Sequence, residues 1–237
     1  MALLHLAAVV QPRLQLGLVA VWVDHGLRPL ETPQEKEEVC KATARLGVPF
    51  VAKKVDTVGT AKKQGLSLEH AARDLRYAAL REVSLEYGAG HIAVAHTADD
   101  QAEEVLLRLL RGGGRKGLAG MQMRNQDVIR PLLRIGKEDL LTWLADQGIG
   151  YCLDSSNNDP RFLRNRVRHQ LLPFLRQHFD TGVNNALCKT ADSLAVDEAL
   201  LEEMAAAAFV QVVKNMGKGE CRDEGAVRMR LLRKPFC

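Results

Sequence analysis

The residues best suited to chemistry stand together at positions 96–104, His-Thr-Ala-Asp-Asp-Gln-Ala-Glu-Glu, directly after a short apolar run. Asp100 and Glu103 are three apart, so on a helix they share one face, with Asp99 beside them. Carboxylates crowded into one turn repel each other, and the positive end of a helix offsets only part of that cost. Such a group can hold Mg2+ through oxygen ligands or hold an amine cation, and a carboxylate beside a bound amine can take up its proton. An acidic first turn capped by Thr97 and facing water explains the same residues about equally well.

Three further sets bear on that choice. In 69–77, Glu-His-Ala-Ala-Arg-Asp-Leu-Arg-Tyr, the side chains of Glu69, Arg73 and Arg76 recur at spacings of four and three. Arginines so placed can grip phosphate bidentately; the plain alternative is a surface ladder of Glu–Arg pairs worth only tenths of a kcal/mol. Arg111, three glycines, Arg115 and Lys116 follow the acidic segment. One glycine suffices to end a helix, and three in a row favour a mobile basic loop, although the stretch has neither the Lys-Ser/Thr of a Walker loop nor the dinucleotide fingerprint. Residues 161–168, Arg-Phe-Leu-Arg-Asn-Arg-Val-Arg, set four arginines after a polar loop at 154–160. They suit phosphate contact or a solvated basic face.

These sets need elements to position them. An apolar run at 16–23 ends at Asp24-His25-Gly26, as a buried parallel strand would. A helix over 32–46, a strand over 49–55, a helix over 67–87 and a strand over 91–95 follow. This alternation predicts an α/β fold, a parallel sheet with helices on both faces, whose ligands lie beyond the C-terminal ends of the strands. Beyond Gly120 the pattern gives a strand over 127–133 and a helix over 137–147. From 161 onward it reads as helical, with apolar residues at threes and fours over 184–215. A boundary near 180–182 divides a domain over 1–180 from a helical region over 181–237, and the last 21 or so residues show no period.

With 237 residues and 46% hydrophobic content, the chain can bury a full core and is not a disordered tail. The formal charge of +4 suits an RNA partner without requiring one. Cys40, Cys152, Cys188, Cys221 and Cys237 are odd in number and scattered, with no CxxC pair for zinc, a cluster or redox exchange. Reduced thiols in a cytoplasmic protein are expected. No apolar run approaches the roughly 20 residues that cross a bilayer, and the start has no basic leader, so neither a membrane nor a targeting segment is expected.

In order along the chain, VDHGLR (23–28), SLEHAARDLRY (67–77), HTADDQAEE (96–104), RGGGRKGLAGM (111–121), IRPLL (129–133) and DSSNNDPRFLRNRVRHQLLP (154–173) together resemble the transfer-RNA(Ile)-lysidine synthetase family. Six blocks in family order are far more specific than any one of them. The resemblance covers about residues 1–175 and implies a Rossmann-like ATP-pyrophosphatase fold of the adenine nucleotide alpha hydrolase type. It implies that ATP, with Mg2+, adenylates O2 of the wobble cytidine of an isoleucine tRNA with a CAU anticodon, and that the ε-amine of free lysine displaces AMP at C2. Adenylation turns a poor leaving group into a good one, leaving the protein to align the reactants, neutralise charge and supply an unprotonated amine.

The same resemblance places Asp24, His96, Arg73 and Asp99 beside the nucleotide, Asp100 and Glu103 on the lysine amine, and Arg76 against phosphate or the activated base. Arg111, Arg115 and Lys116 fall in a loop over the site, and Arg164, Asn165, Arg166 and Arg168 near the RNA. Partners are thus tRNA(Ile) and lysine, with a homodimer left open and the 181–237 region a linker or the start of an RNA-binding part. The family's SGGxDS nucleotide loop precedes a helix like residues 1–6, so the resemblance implies that this loop lies outside these 237 residues, that Met1 is an internal methionine, and that the chain alone makes little lysidine. Two alternatives stay open: a tRNA sulfur-transfer enzyme of the same class, against which the isolated cysteines count, and a fragment without activity.

Overall fold

In the computed structural model, residues 1–28, 32–152 and 163–216 are described. The polar loop at 154–160, Arg161, Phe162, Cys221 and Cys237 lie outside the described residues. The chain forms two compact units, one of residues 1–98 with the segment from Met123, the other of Asp99–Gln122 with the helices from Leu163 onward.

The first unit opens with helix α1 (Ala2–Leu14), strand β1 (Ala20–Asp24), helix α2 (Thr32–Leu46) and strand β2 (Phe50–Lys54). β1 and β2 pair in parallel from Ala20 opposite Phe50 to Asp24 opposite Lys54, which leaves the Asp24 carboxylate at the C-terminal end. Helix α3 (Thr57–Gln64) was not foreseen. Gly59 and two β-branched threonines lower its propensity, and it forms because the Asp56 carboxylate accepts from Gly59 N while Gly65 closes it at φ 66°. Helix α4 (Leu68–Glu86) begins where Ser67 Oγ accepts from His70 N and buries Ala71, Ala79 and Val83. Strand β3 (Ile92–Ala93) pairs in parallel with β5 (Val128–Ile129), which pairs antiparallel with β4 (Arg124–Asn125). Helix α7 (Lys137–Asp146) follows and buries Leu140 and Leu144.

The α/β class and the parallel pairing are those the alternation predicts, with two differences. Hydrogen bonding divides the strands into a two-stranded and a three-stranded sheet, and β1 is half-buried along its length because it has a paired strand on one edge only among the described residues. The strands expected over 91–95 and 127–133 are two residues each. Pro131, which has no N–H to give to a ladder, follows β5 after one residue.

In the second unit, helix α5 (Ala98–Leu110) carries Ala102, Leu106 and Leu107 against Val167 and Leu172. These last two belong to a continuous run of helix α8 (Leu163–Arg166), a π-turn (Val167–Leu171) and helix α9 (Leu172–His178). Helix α10 (Val183–Met216) packs Val183, Leu187 and Cys188 on the same cluster. Between α5 and its return lies the short helix α6 (Arg115–Leu118).

Candidate functional site

At the C-terminal end of β1, the Asp24 carboxylate accepts from Gly26 N at 2.8 Å, closing a tight turn. Gly26, at φ 67°, takes a conformation that side chains resist. The turn presents His25 to α4, where Arg76 donates to His25 Nε2 from Nε and Nη2 at 3.4 and 3.3 Å. With Nε2 accepting, the proton belongs on Nδ1, which lies 3.3 Å from the buried Thr57 hydroxyl. Burial, then the cationic Arg76, holds the His25 pKa below its ordinary value, against the pull of Asp24. A cavity of about 310 Å3 adjoins Asp24 and is lined also by Trp22, Thr32, Lys36 and Lys53.

At the end of β3, His96 Nδ1 accepts from Nε of Arg130 at 3.2 Å, and Arg130 is 94% shielded from water. Arg130 was not singled out from the sequence. The signal available was a charged residue inside the apolar run Val-Ile-Arg-Pro-Leu-Leu, which a core tolerates only when the charge has partners. His25 was likewise missed, because its role depends on a contact 51 residues along the chain. The Glu–Arg ladder does not form between Glu69 and Arg73. Arg73 instead lies over the Tyr77 ring at 5.4 Å, so Arg73 and Arg76, neighbours on one helix, serve different surroundings.

In the second unit, the acidic turn of α5 faces the arginines of α8 and the π-turn. Glu103, whose side chain is 2% exposed, accepts from Arg164 Nε at 2.9 Å and from Arg168 Nε and Nη2 at 2.6 and 2.9 Å. Asp100, at 20% exposure, accepts from Nη2 of Arg168 at 3.0 Å and from Nη2 of Arg164 at 3.4 Å. Arg164 and Arg168 are four apart across the start of the π-turn, which aims both guanidinium groups at one helical face. Burial works against the charge of Arg168, yet its bonds to Glu103 and the field of Asp100 carry its pKa above the ordinary arginine value. Asp99 accepts from the Asn184 amide at 3.0 Å. The sequence reading assigned the carboxylates to an amine and the arginines to RNA; the structure brings the two sets into one cluster. Asn165 is buried and Arg166 exposed. Among the described residues, no group of three or more His, Cys, Asp or Glu gathers to hold a metal ion.

The basic stretch after α5 has a defined course. Gly112, at φ 75°, and Gly113, whose N–H reaches Arg108 O at 2.7 Å, end the helix. An added Cβ on Gly113 would meet that backbone oxygen at 2.9 Å, so two of the three glycines belong to the helix stop and Gly114 stands in open space. Arg115 and Lys116 pair with Glu198 and Glu202 of α10 at 2.9 and 2.5 Å, and Arg111 is exposed.

Known proteins are similar to this chain in sequence and in fold. A family described as PP-loop domain matches residues 1–175. The fold is also that of the U34-tRNA thiolase NcsA from Methanococcus maripaludis, solved with its 4Fe-4S cluster, at TM-score 0.61 and 18% identity over 80% of this chain and 66% of that one. Sequence and fold therefore define a PP-loop protein. A tRNA(Ile)-lysidine synthase of Thermobifida fusca is 37% identical over 99% of the chain and 72% of its own length, and one of Geobacter sulfurreducens is 37% identical over 93% of the chain and 49% of its own. The chain belongs to the tRNA(Ile)-lysidine synthase family. It spans about half the length of several relatives, such as those of Geobacter sulfurreducens and Parabacteroides distasonis.

Proposed function

We propose that the protein takes part in ATP-dependent formation of lysidine on the wobble cytidine of tRNA(Ile), through an adenylated RNA. The observation that carries this reading is the identity of 37% over nearly the whole chain to a relative named for that product, joined to a carboxylate pair and strand-end groups of suitable chemistry. ATP is the first substrate. Asp24, His25 with Arg76, and His96 with Arg130 are the groups of the first unit that suit it, combining a carboxylate acceptor, neutral imidazole and fixed cations. Mg2+ would travel with the triphosphate, since that ion keeps most of its water and prefers phosphate oxygens to a protein cage.

In the second unit, Asp100 is the carboxylate for the lysine amine. Glu103 has its oxygens taken by three bonds of 2.6 to 2.9 Å from arginine, whereas Asp100, with ten times the exposure, accepts at 3.0 Å from Arg168 and at 3.4 Å from Arg164. Glu103 then serves by holding Arg164 and Arg168, and the amine displaces a guanidinium from Asp100 and gives up a proton before attack. Arg111, Arg115 and Lys116 are proposed for RNA phosphates, in exchange for Glu198 and Glu202 where these are paired.

Among the described residues, the half-buried thiol does not favour sulfur transfer. Burial, with Asp192 and Asp99 nearby, pushes Cys188 up to about 11, away from the thiolate that such chemistry uses. The test is ATP-dependent incorporation of labelled lysine into tRNA(Ile) with a CAU anticodon. Because the relatives are longer, the assay includes a form lengthened at both ends with a relative's segments. Lysine retained in the RNA supports the reading, and Asp100→Asn is expected to lower lysine transfer at least roughly tenfold while sparing the AMP–RNA adduct. Absence of incorporation in both forms overturns it.

A further inference from the structure

On the first unit, α4 and the β4–β5 hairpin border a groove of about 390 Å3 lined by Arg73, Tyr77, Arg81, Asn125, Asp127 and Arg130 among others. We propose that this groove binds the sugar-phosphate backbone of RNA, with Arg73 as a phosphate contact for RNA and not for ATP. The proposal rests on the reading above that the protein acts on tRNA.

Arg73 is exposed, stands one helical turn from Glu69, and pairs with no carboxylate among the described residues. Its guanidinium is held over the Tyr77 ring at 5.4 Å, and that of Arg81 over the same ring at 5.8 Å. Arg81 is further fixed by Asp127, with Nε 2.7 Å from Oδ2. One aromatic ring therefore pre-positions two guanidinium groups, which lowers the ordering cost of gripping an anion.

The charges at the groove's rim are Arg73 and Arg81 against Asp74 and Asp127, with Arg130 buried and bonded to His96. Asp127 is committed to Arg81, and Asp74 lies 3.6 Å from His70. Asn125 and Gln126 add exposed amide donors at the hairpin, where Gln126 takes φ 54°. An exposed rim suits a polyanion laid across the surface better than a nucleotide, which a protein encloses. Arg76, three residues on, is already turned to His25, so the two arginines divide RNA and nucleotide between them.

The experiment titrates the protein with fluorescent tRNA and, separately, with a fluorescent ATP analogue at several salt concentrations. Arg73→Ala is expected to weaken RNA binding roughly fivefold near 0.1 M salt and to lower the salt slope by about 1, leaving ATP-analogue binding unchanged. Tyr77→Phe keeps the ring and should bind like the unsubstituted protein, whereas Tyr77→Leu should resemble Arg73→Ala. An unchanged thermal midpoint for Arg73→Ala confirms that its fold is intact. RNA binding by the unsubstituted protein that is indifferent to Arg73, or a loss of ATP-analogue binding in Arg73→Ala, overturns the groove and leaves the enzymatic reading standing. No RNA binding by the unsubstituted protein overturns both.

Discussion

His25 carries a pH dependence that follows from its neighbours. Its folded pKa lies below the ordinary value of 6.5 because burial and Arg76 both oppose protonation. Below that ordinary value the unfolded chain binds more protons than the folded one, so stability falls as pH drops through it and is level above it. The expected outcome is that urea midpoints decline between about pH 7 and pH 5.5, and that His25→Gln flattens this decline. An identical decline in the variant would assign the acid sensitivity to other groups. The Glu103 cluster obeys a different rule. A carboxylate with 2% exposure against two guanidinium groups is costly to desolvate and costlier to break, so its presence speaks for placement of charge more than for net stability.

At the scale of elements, two side chains of α5 tie it to the segment around α6: Arg108, whose Nη1 donates to Gly117 O and Gly120 O at 2.8 and 3.1 Å, and Gln101. Gln101, 4% exposed, donates to Met121 O at 3.0 Å and accepts from Met121 N at 2.8 Å, a pairing that replaces a strand partner for that residue. Gly120 stands at φ 67°, and a Cβ there would lie 2.6 Å from the Gln101 amide nitrogen. Gly120→Ala therefore meets both backbone strain and a blocked space, and should cost about 2–3 kcal/mol in denaturant unfolding. Gly114→Ala, in open space at φ −73°, should cost less than about 0.5 kcal/mol. Equal costs would mean that the Gln101 contact does not form.

For the whole molecule, thiol reactivity reads out the packing of both units. Cys40 and Cys152 are exposed, while Cys188 is packed on the cluster of α5 and the π-turn and is pushed up to about 11. Alkylation near pH 8 should modify Cys188 at least roughly tenfold more slowly than Cys40 and Cys152, as followed by peptide mass spectrometry. Equal rates would show that α10 does not shield the cluster.

Local signals were legible wherever a residue's role depends on near neighbours. The helices over 32–46, 67–87 and 137–147 follow from apolar spacing and end residues, and the acidic turn at 99–103 from three carboxylates within five residues. The α/β class follows from alternation, because a parallel strand pair needs a crossover between its members. Tertiary structure alone decided which charges meet. Asp100 and Glu103 lie more than 60 residues from Arg164 and Arg168, and the Glu–Arg ladder that spacing allows yields to Tyr77 and His25. A charged side chain settles where desolvation, hydrogen-bond geometry and opposite charge balance, and that balance depends on three-dimensional neighbours which one-dimensional spacing does not contain.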